Sequence, residues 1–172
     1  MLVYHPAFDM HHCVFRMVRL LNRLPRASYH VERIRILDFY LLFPGQIPSF
    51  RFPRPLMTHR RKFAAKDNRY EKLADPFRIF LRLAPFQQEA LGCLAAHGLV
   101  DATELTKGMV ARTDKALPAR LKAIAEGADS LAPDAIELLT GQLLSIDLYG
   151  KDGLKARSDL FEYRYDPVSS IS

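Results

Sequence analysis

The sequence contains no tryptophan, only two cysteines and no long run of apolar residues. Cys13 and Cys93 lie in apolar patterns of helical period, which predicts reduced, buried thiols and gives no sign of a disulfide framework. The longest apolar run, Phe39–Phe43, is far shorter than the ~20 residues that a membrane-spanning helix needs. The first residues lack the basic leader and apolar stretch of a secretory signal, so we expect a cytoplasmic protein. With eleven phenylalanines and no tryptophan, the core is expected to be built around phenylalanine.

Motifs that carry chemistry are also missing. His11 and His12 are adjacent, so their side chains would point about 100° apart on a helix, and no CxxC, HxxxH or HExxH spacing completes a metal site. The sequence has no Walker A loop, GxGxxG motif or glycine cluster to cradle a phosphate. Neither cysteine has a charged neighbour that would activate it as a nucleophile. We therefore expect no metal, no cofactor and no enzymatic activity. The alternative is a small hydrolase with a deep pocket lined by acids or histidines from distant positions.

The positive charge of the chain is concentrated in one stretch. Between Arg51 and Lys72 there are eight basic and two acidic residues, and this excess of six equals the net charge of the whole chain. Such a cluster attracts polyanions, including the phosphates of nucleic acid, through a diffuse and salt-sensitive force. An acidic protein partner and a solvated basic surface remain competing interpretations. The candidate polyanion or partner contacts are Arg51, Arg54, Arg60, Arg61 and Lys62 in this stretch, and Lys151, Lys155 and Arg157 near the C-terminus.

Residues 1–45 are predicted to form a pair of helices. Asp9 is a suitable N-cap for a first helix that runs to about Leu24, and a second helix is predicted to end at Phe43. The first helix has an apolar stripe of helical period, made of Met10, Cys13, Val14, Met17, Leu20, Leu21 and Leu24.

Both predicted helices contain charged residues, among them three arginines in the first and Asp38 in the second. Arg16, Arg19 and Arg23 share the face opposite the apolar stripe, and we expect them to be solvated. Asp38 falls in the most apolar part of the second helix. A structural ion pair with Arg35, one turn earlier, is favoured there over a catalytic acid.

Residues 46–75 are predicted to be a basic, Pro- and Arg-rich connector, extended at first and then a short exposed helix or loop. Residues 76–172 are predicted to form a winged-helix-like unit packed on the N-terminal helices, within one compact domain overall. FRIFLRL alternates well enough to be a strand, although a helix is also compatible with it. A helix closing on Gly98 follows, and LTKGMVART fits a short strand. Gly92 inside that helix costs about 1 kcal/mol relative to alanine, which close approach of a neighbouring backbone would explain. Two further helices are expected in LPARLKAIAEGA and APDAIELLTGQLLSI.

The C-terminal segment has the pattern of a β-hairpin. Gly150–Gly153 is predicted to be a tight turn, and Phe161, Tyr163 and Tyr165 share one face of the strand that follows. The three basic candidates of this segment would then decorate a wing, where winged-helix proteins meet the DNA backbone. The predicted fold class is mainly α with a small β part (α+β): a helical core, a winged-helix-like C-terminal half and a terminal β-hairpin.

Three stretches together resemble a known family: YHPAFDMHHCVFRMVRLL at the start, RIRILDFYLLFP in the second helix and GKDGLKARSDLFEYRYD at the end. Over nearly its whole length the chain is similar to a middle component of bacterial ABC-three-component systems, the subfamily numbered middle component 5. This family offers no catalytic residues. Its motif residues are expected at structural or partner-contact positions, and in this chain they are Asp9, Arg16, Asp38, Lys155, Arg157, Glu162 and Arg164.

The resemblance implies a small accessory protein that acts with an ABC ATPase of the SMC or Rad50-like type and with a third, often effector, component. Such systems are thought to defend bacteria against phages and other invading DNA. The middle component would bridge ATPase and effector, or help to sense DNA, without chemistry of its own. The alternative is a free-standing winged-helix DNA-binding regulator. A neighbouring gene for a large coiled-coil ATPase would favour the first function, and sequence-specific binding to its own promoter the second.

Overall fold

The computed structural model describes residues 6–66, 72–127 and 132–161. In these residues the α-helices are α1 (Met10–Arg23), α2 (Val31–Leu42), α3 (Met57–Ala65), α4 (Pro76–Ala96), α5 (Ala102–Thr106), α6 (Ala119–Glu126), α7 (Pro133–Thr140) and α8 (Leu154–Ser158). The strands are β1 (Ser28–His30) and β2 (Met109–Ala111). Short 3₁₀ segments cover Pro6–Phe8, Pro44–Ser49, Arg54–Leu56 and Leu143–Ser145. None of the described helices is long and apolar enough to cross a membrane.

The two strands form a small antiparallel sheet that joins distant parts of the chain. Tyr29 of β1 lies opposite Val110 of β2, and Val100 makes an isolated bridge with Arg112. The prediction of a mainly α fold with a small β part is therefore confirmed, and β2 lies within the predicted LTKGMVART strand. β2 pairs with a strand from the N-terminal half, so the sheet joins the two halves of the chain, and the winged-helix-like arrangement stays a prediction.

Both predicted N-terminal helices are present. Asp9 caps α1, its Oδ1 accepting a hydrogen bond from the His12 backbone N–H at 3.0 Å. The helix ends before Pro25 because proline has no N–H to continue the hydrogen-bonded ladder. The apolar side chains of α2 supply much of the core, including Ile34, Ile36, Leu37, Phe39 and Tyr40.

Of the two interpretations of FRIFLRL, the strand is wrong and the helix is confirmed, because these residues form the first turns of α4, a helix of 21 residues. Asp75 caps this helix, its Oδ1 accepting a hydrogen bond from the Arg78 backbone N–H at 3.0 Å, and Pro76 occupies the first turn. Burial of one face supplies most of the stability of a helix in a protein. The buried residues of α4 recur at helical spacing, and they are Phe80, Leu83, Gln87, Ala90, Leu91 and Leu94.

Two glycines near the end of α4 differ in what they require. Gly98 follows the helix with a φ of 71°, which confirms the predicted C′ glycine. At Gly92, by contrast, no atom lies within 4 Å of the position that a Cβ would take. The predicted close approach of a neighbouring backbone is therefore wrong within the described part of the chain.

The connector is more folded than predicted. Its first part is predicted to be extended, but Pro44–Ser49 and Arg54–Leu56 form 3₁₀ segments. Of the short exposed helix or loop predicted next, the helix is confirmed as α3, with Phe63 as its buried residue. Proline fixes φ near the value that such turns use, so a proline-rich sequence suits these segments as well as an extended one.

The C-terminal hairpin prediction is wrong where the structure describes it. The turn at Gly150–Gly153 is present, with the Gly153 N–H donating to the Gly150 carbonyl at 3.1 Å, but helix α8 follows it instead of a strand. Phe161 packs against Phe80 with the ring centroids 4.9 Å apart, so this aromatic side chain faces the body as expected. The remaining residues of that prediction lie outside the described part of the chain, namely Glu162, Tyr163, Arg164 and Tyr165.

Phenylalanines are prominent in the core, as the composition predicts. Phe39, Phe50 and Phe80 are among the largest fully buried side chains. Phe39 meets Phe80 edge to face with centroids 5.9 Å apart, which joins α2 to α4 in a favoured aromatic geometry.

Candidate functional site

A buried ion pair joins α1 to α2. Arg16 Nε donates to Asp38 Oδ1 at 2.8 Å and Arg16 Nη2 to Asp38 Oδ2 at 3.1 Å, and Asp38 is completely buried. Two predictions are corrected here: Arg16 does not lie on a solvated face, and Asp38 does not pair with Arg35. Arg16 follows the buried Cys13 by three positions, which places it on the same side of the helix. From there its long side chain reaches α2.

Gln87 of α4 extends this pair into a network across three helices. Its Nε2 donates to Asp38 Oδ2 at 2.9 Å and to the Arg35 carbonyl at 3.2 Å. Its Oε1 accepts a hydrogen bond from Arg35 Nε at 3.0 Å. The Arg35 guanidinium also lies over the ring of Phe80, 4.6 Å from its centroid. Sequence reasoning missed Gln87, although a polar residue within the helical period of α4 would have pointed to it.

The electrostatics of this network favour a structural role. Burial opposes the charge on Arg16, but the adjacent Asp38 carboxylate outweighs that effect and raises the pKa of Arg16 above its ordinary value. Burial, with a smaller contribution from Asp38, raises the pKa of Cys13 to about 12. Both oxygens of Asp38 accept hydrogen bonds, so this acid is fully engaged in holding helices together.

Lys155 is buried within α8 and is not displayed on a wing. Its Nζ lies 3.2 Å from Glu32 Oε2, and only 6% of its side chain is exposed. The ring centroid of Phe161 lies 4.6 Å from the same nitrogen, a cation–π contact. Lys155 therefore holds α8 against α2 and is not exposed for contact with a polyanion. The Arg16–Asp38 pair joins α1 to α2, and the Lys155–Glu32 pair joins α8 to α2. These three helices overlap the three stretches that carry the family resemblance.

Arg51 and Arg157 attach the C-terminal segment to the start of the basic stretch. The Arg51 N–H donates to the Arg157 carbonyl at 3.0 Å, and Arg157 Nη1 donates to the Arg51 carbonyl at 2.7 Å. Each guanidinium also meets an acid, Arg51 with Asp159 at 2.9 Å and Arg157 with Asp152 at 3.1 Å. These two candidates thus have internal partners, whereas Lys151 is exposed on the turn before α8.

The other candidates lie together on and beside α3. We define the α3 basic surface as the exposed residues Arg54, Arg60, Arg61, Lys62 and Lys66. Asp134 of α7 meets its edge, with Oδ1 lying 3.4 Å from Lys62 Nζ and Oδ2 bound by Lys66. Hydrogen bonds from Lys66 and Lys62 hold the pKa of Asp134 below its ordinary value. Among the described residues, Asp134 is the acid that pairs with this surface, so a positive excess remains.

A family model described as ABC-three component (ABC-3C) system Middle Component 5 matches residues 2–166. The match covers nearly the whole chain, including all three resembling stretches. The chain belongs to this family. No curated protein and no solved structure matched it. This middle component is therefore an accessory member of an ABC-three-component system, and its partners are other components of that system.

Cys93 and His97 of the middle component stand one turn apart at the end of α4. Cys93 is exposed, which corrects the prediction of a buried thiol, whereas Cys13 is buried as expected. Cys93 Sγ lies 3.9 Å from His97 Nδ1, a pairing that sequence reasoning missed. The same Nδ1 also lies 2.9 Å from the Cys93 carbonyl oxygen, so it is within hydrogen-bond distance of the backbone as well as of the thiol.

Acids in the clefts of the middle component are engaged in the fold. A cleft of about 270 Å³ beside α3 contains Asp134, which is already bound to two lysines. Another of about 270 Å³ beside α2 contains Asp75, which caps α4, and Asp159, which pairs with Arg51. Within the described ranges, no group of three or more metal-binding side chains could hold one ion. The small-hydrolase alternative gains no support from these clefts.

Proposed function

We propose that this middle component is a non-catalytic adaptor that bridges an SMC/Rad50-like ABC ATPase and an effector. It would act in the bacterial cytoplasm, in a complex that defends against phages or plasmids. The observation that carries the proposal is the family match over residues 2–166. Asp38 and Lys155 are buried and form ion pairs with other residues of the chain. This engagement of polar side chains within the fold supports a protein that acts through its surface.

The α3 basic surface is the recognition surface that we assign to this adaptor. Arg54 and Arg61 are exposed and have no hydrogen bond or ion pair with any described residue. Arginine presents a planar fork of donors that matches carboxylate and phosphate oxygens, so these two side chains suit an acidic protein surface or DNA held in the complex. Arg60 is oriented in advance, because its Nε donates to the Pro48 carbonyl at 3.1 Å.

Binding through this surface should depend strongly on salt. Each phosphate that a basic side chain neutralises contributes a slope of about −0.9 to a plot of log affinity against log salt for duplex DNA. Exposed charges on a protein partner are screened within a Debye length of about 8 Å at physiological salt. Contacts made by Arg54, Arg60 and Arg61 should therefore weaken together as salt rises.

Co-expression with the products of the neighbouring genes, followed by pulldown of the tagged chain, tests the proposal. We expect the wild-type chain to recover both an ATPase and an effector component. The triple variant Arg60→Glu, Arg61→Glu, Lys62→Glu should bind at least tenfold more weakly. It should still fold, because all three side chains are exposed and a surface pair such as Lys62 with Asp134 contributes at most about 1 kcal/mol. Lys107→Glu is the control, since Lys107 is also exposed but lies just after α5.

The outcomes separate the parts of this proposal. If the wild-type chain recovers neither component, the adaptor function is contradicted. If it recovers both and the triple variant binds equally well at low salt, the α3 basic surface has no part in recognition. Nuclease treatment of the complex distinguishes the two partner classes, because contacts through DNA would be lost and contacts with an acidic protein kept. Specific binding of the isolated chain to its own promoter would support the regulator instead.

A further inference from the structure

An apolar groove lies on a different part of the molecule from the α3 basic surface. It has a volume of about 210 Å³ and is bordered by α1, the end of α4 and the segment that leads into α6. Its lining consists of Val14, Cys93, Leu94, His97, Leu99, Lys115, Pro118 and Leu121. A narrower cleft continues it past Lys115 to Arg112. We refer to both parts together as the α1–α4 groove.

The lining suits the side chain of a protein partner better than a small molecule. Pockets for drug-sized ligands usually measure about 300 to 1,000 Å³, so the wider part of the groove is too small for most of them. Val14 and Leu121 are half-buried, and Cys93 and Pro118 are exposed, so apolar surface is accessible from solvent. Burial of such surface by a partner is favourable, because it removes apolar area from water.

Lys115 and Arg112 line the groove, Arg26 lies near Arg112, and hydrogen bonds within the chain hold all three cations in place. Lys115 Nζ donates to the His97 carbonyl at 2.7 Å, which fixes this side chain between the two parts of the groove. Arg26 Nη1 donates to the Thr113 carbonyl at 2.5 Å, reaching from the residues after α1 to the segment after β2. Arg112 reaches in the opposite direction, its Nη1 donating to Asn22 Oδ1 at 3.3 Å. The guanidinium groups of Arg26 and Arg112 therefore lie near each other.

Positive charge is concentrated around these cations. Burial lowers the pKa of Arg112, and the nearby charge of Arg26 lowers it further, as expected for like charges held together. Among the described residues, Asp114 is the acid that pairs with Arg26, at 3.6 Å, and its side chain is fully exposed. The adjacent α6 carries two exposed cations, Arg120 and Lys122, and one exposed acid, Glu126. An incoming carboxylate would therefore relieve a local excess of positive charge.

We propose that the α1–α4 groove binds an acidic peptide segment of another component of the system, with one apolar side chain in the groove and carboxylates on Lys115, Arg112 and Arg26. This inference rests on the adaptor function proposed above and adds a second recognition surface to it. An adaptor that bridges two components needs two such surfaces. The α3 basic surface and the α1–α4 groove would serve one component each.

Cys93 provides a natural probe of the groove. It is exposed in the lining, whereas Cys13 is buried and its thiol stays protonated, so iodoacetamide should alkylate Cys93 selectively in the folded chain. We expect the alkylation rate of Cys93, followed by mass spectrometry, to fall at least tenfold in the co-expressed complex relative to the free chain. A Cys93→Ser, Gln142→Cys variant is the control, because the exposed Gln142 lies beyond α7 and its cysteine should stay reactive.

A charge reversal tests the acidic nature of the partner. Lys115→Glu should weaken recovery of one component at least tenfold while keeping the other, because Lys115 is exposed and its loss should not unfold the chain. Lys107→Glu serves again as the matched control.

Three results would overturn the proposal in distinguishable ways. A complex that forms with Cys93 as reactive as in the free chain would refute the groove as an interface while leaving the adaptor function intact. Protection of Cys93 combined with full binding by Lys115→Glu would refute an acidic partner segment. Absence of any complex would contradict the adaptor function, and this inference with it.

Discussion

Arg16 and Asp38, which lie 22 positions apart in the sequence, form a two-point ion pair that joins α1 to α2 in the interior. Removing one partner of such a pair leaves an uncompensated buried charge, which typically costs about 3–5 kcal/mol. We therefore expect Arg16→Met and Asp38→Leu each to lower the free energy of unfolding by about that amount, measured by urea denaturation.

The double variant Arg16→Met, Asp38→Leu should be more stable than either single variant, because replacing both charges by apolar groups removes the uncompensated charge. Single variants that each cost less than about 1 kcal/mol would show that the pair contributes little to holding α1 on α2.

The buried thiol of Cys13 should make stability depend on alkaline pH. Its pKa is raised to about 12 in the folded chain, so the folded state keeps the proton that the unfolded state loses at a lower pH. The stabilisation is complete below the ordinary thiol pKa and is lost as pH rises toward about 12. Between these two pKa values, the free energy of unfolding of the wild type should fall as pH rises. For Cys13→Ala the fall should be less steep, by up to about 1.4 kcal/mol per pH unit. Equal slopes for wild type and variant would contradict the burial of this thiol.

Two lysines of the same segment should respond differently to the same substitution. Lys155→Glu would place a second acid against Glu32 in a buried site, so we expect a loss of at least about 3 kcal/mol or failure to fold. Lys151→Glu changes an exposed side chain and should stay within about 0.5 kcal/mol of wild type. Thermal unfolding of both variants gives the comparison. Similar melting temperatures would mean that Lys155 is exposed, as the wing prediction required.

Gly92 is expected to be a site of easy stabilisation. Space is open where a Cβ would go, and glycine in a helix interior costs about 0.5–1 kcal/mol relative to alanine. Gly92→Ala should therefore raise the free energy of unfolding of the isolated chain by that amount. Destabilisation in urea would indicate that another part of this chain packs closely on α4 at this position.

The sequence predicted those features that depend on neighbouring residues. Asp9 and Pro25 mark the two ends of α1 because a cap and a missing N–H act locally. FRIFLRL misled because its alternation is short and fits a strand and a helix alike. Asp75 and Pro76, a cap followed by a first-turn proline, were the better signal for α4.

The pairings between distant residues were beyond sequence reasoning. Arg16 and Lys155 were predicted to be exposed because a charged side chain is usually at the surface. The residues next to them in the sequence do not reveal a buried partner. Asp38 and Glu32 become those partners only once the helices pack together. The candidate surface on α3 was predictable, because a run of exposed charges needs no tertiary contact to be recognised.

Omission of the middle component from the co-expressed system tests its bridging role most directly. With all three components present, size-exclusion chromatography with light scattering should give one particle that contains ATPase, middle component and effector. Without the middle component, we predict that ATPase and effector elute separately. Elution of ATPase and effector as one particle in its absence would contradict the account.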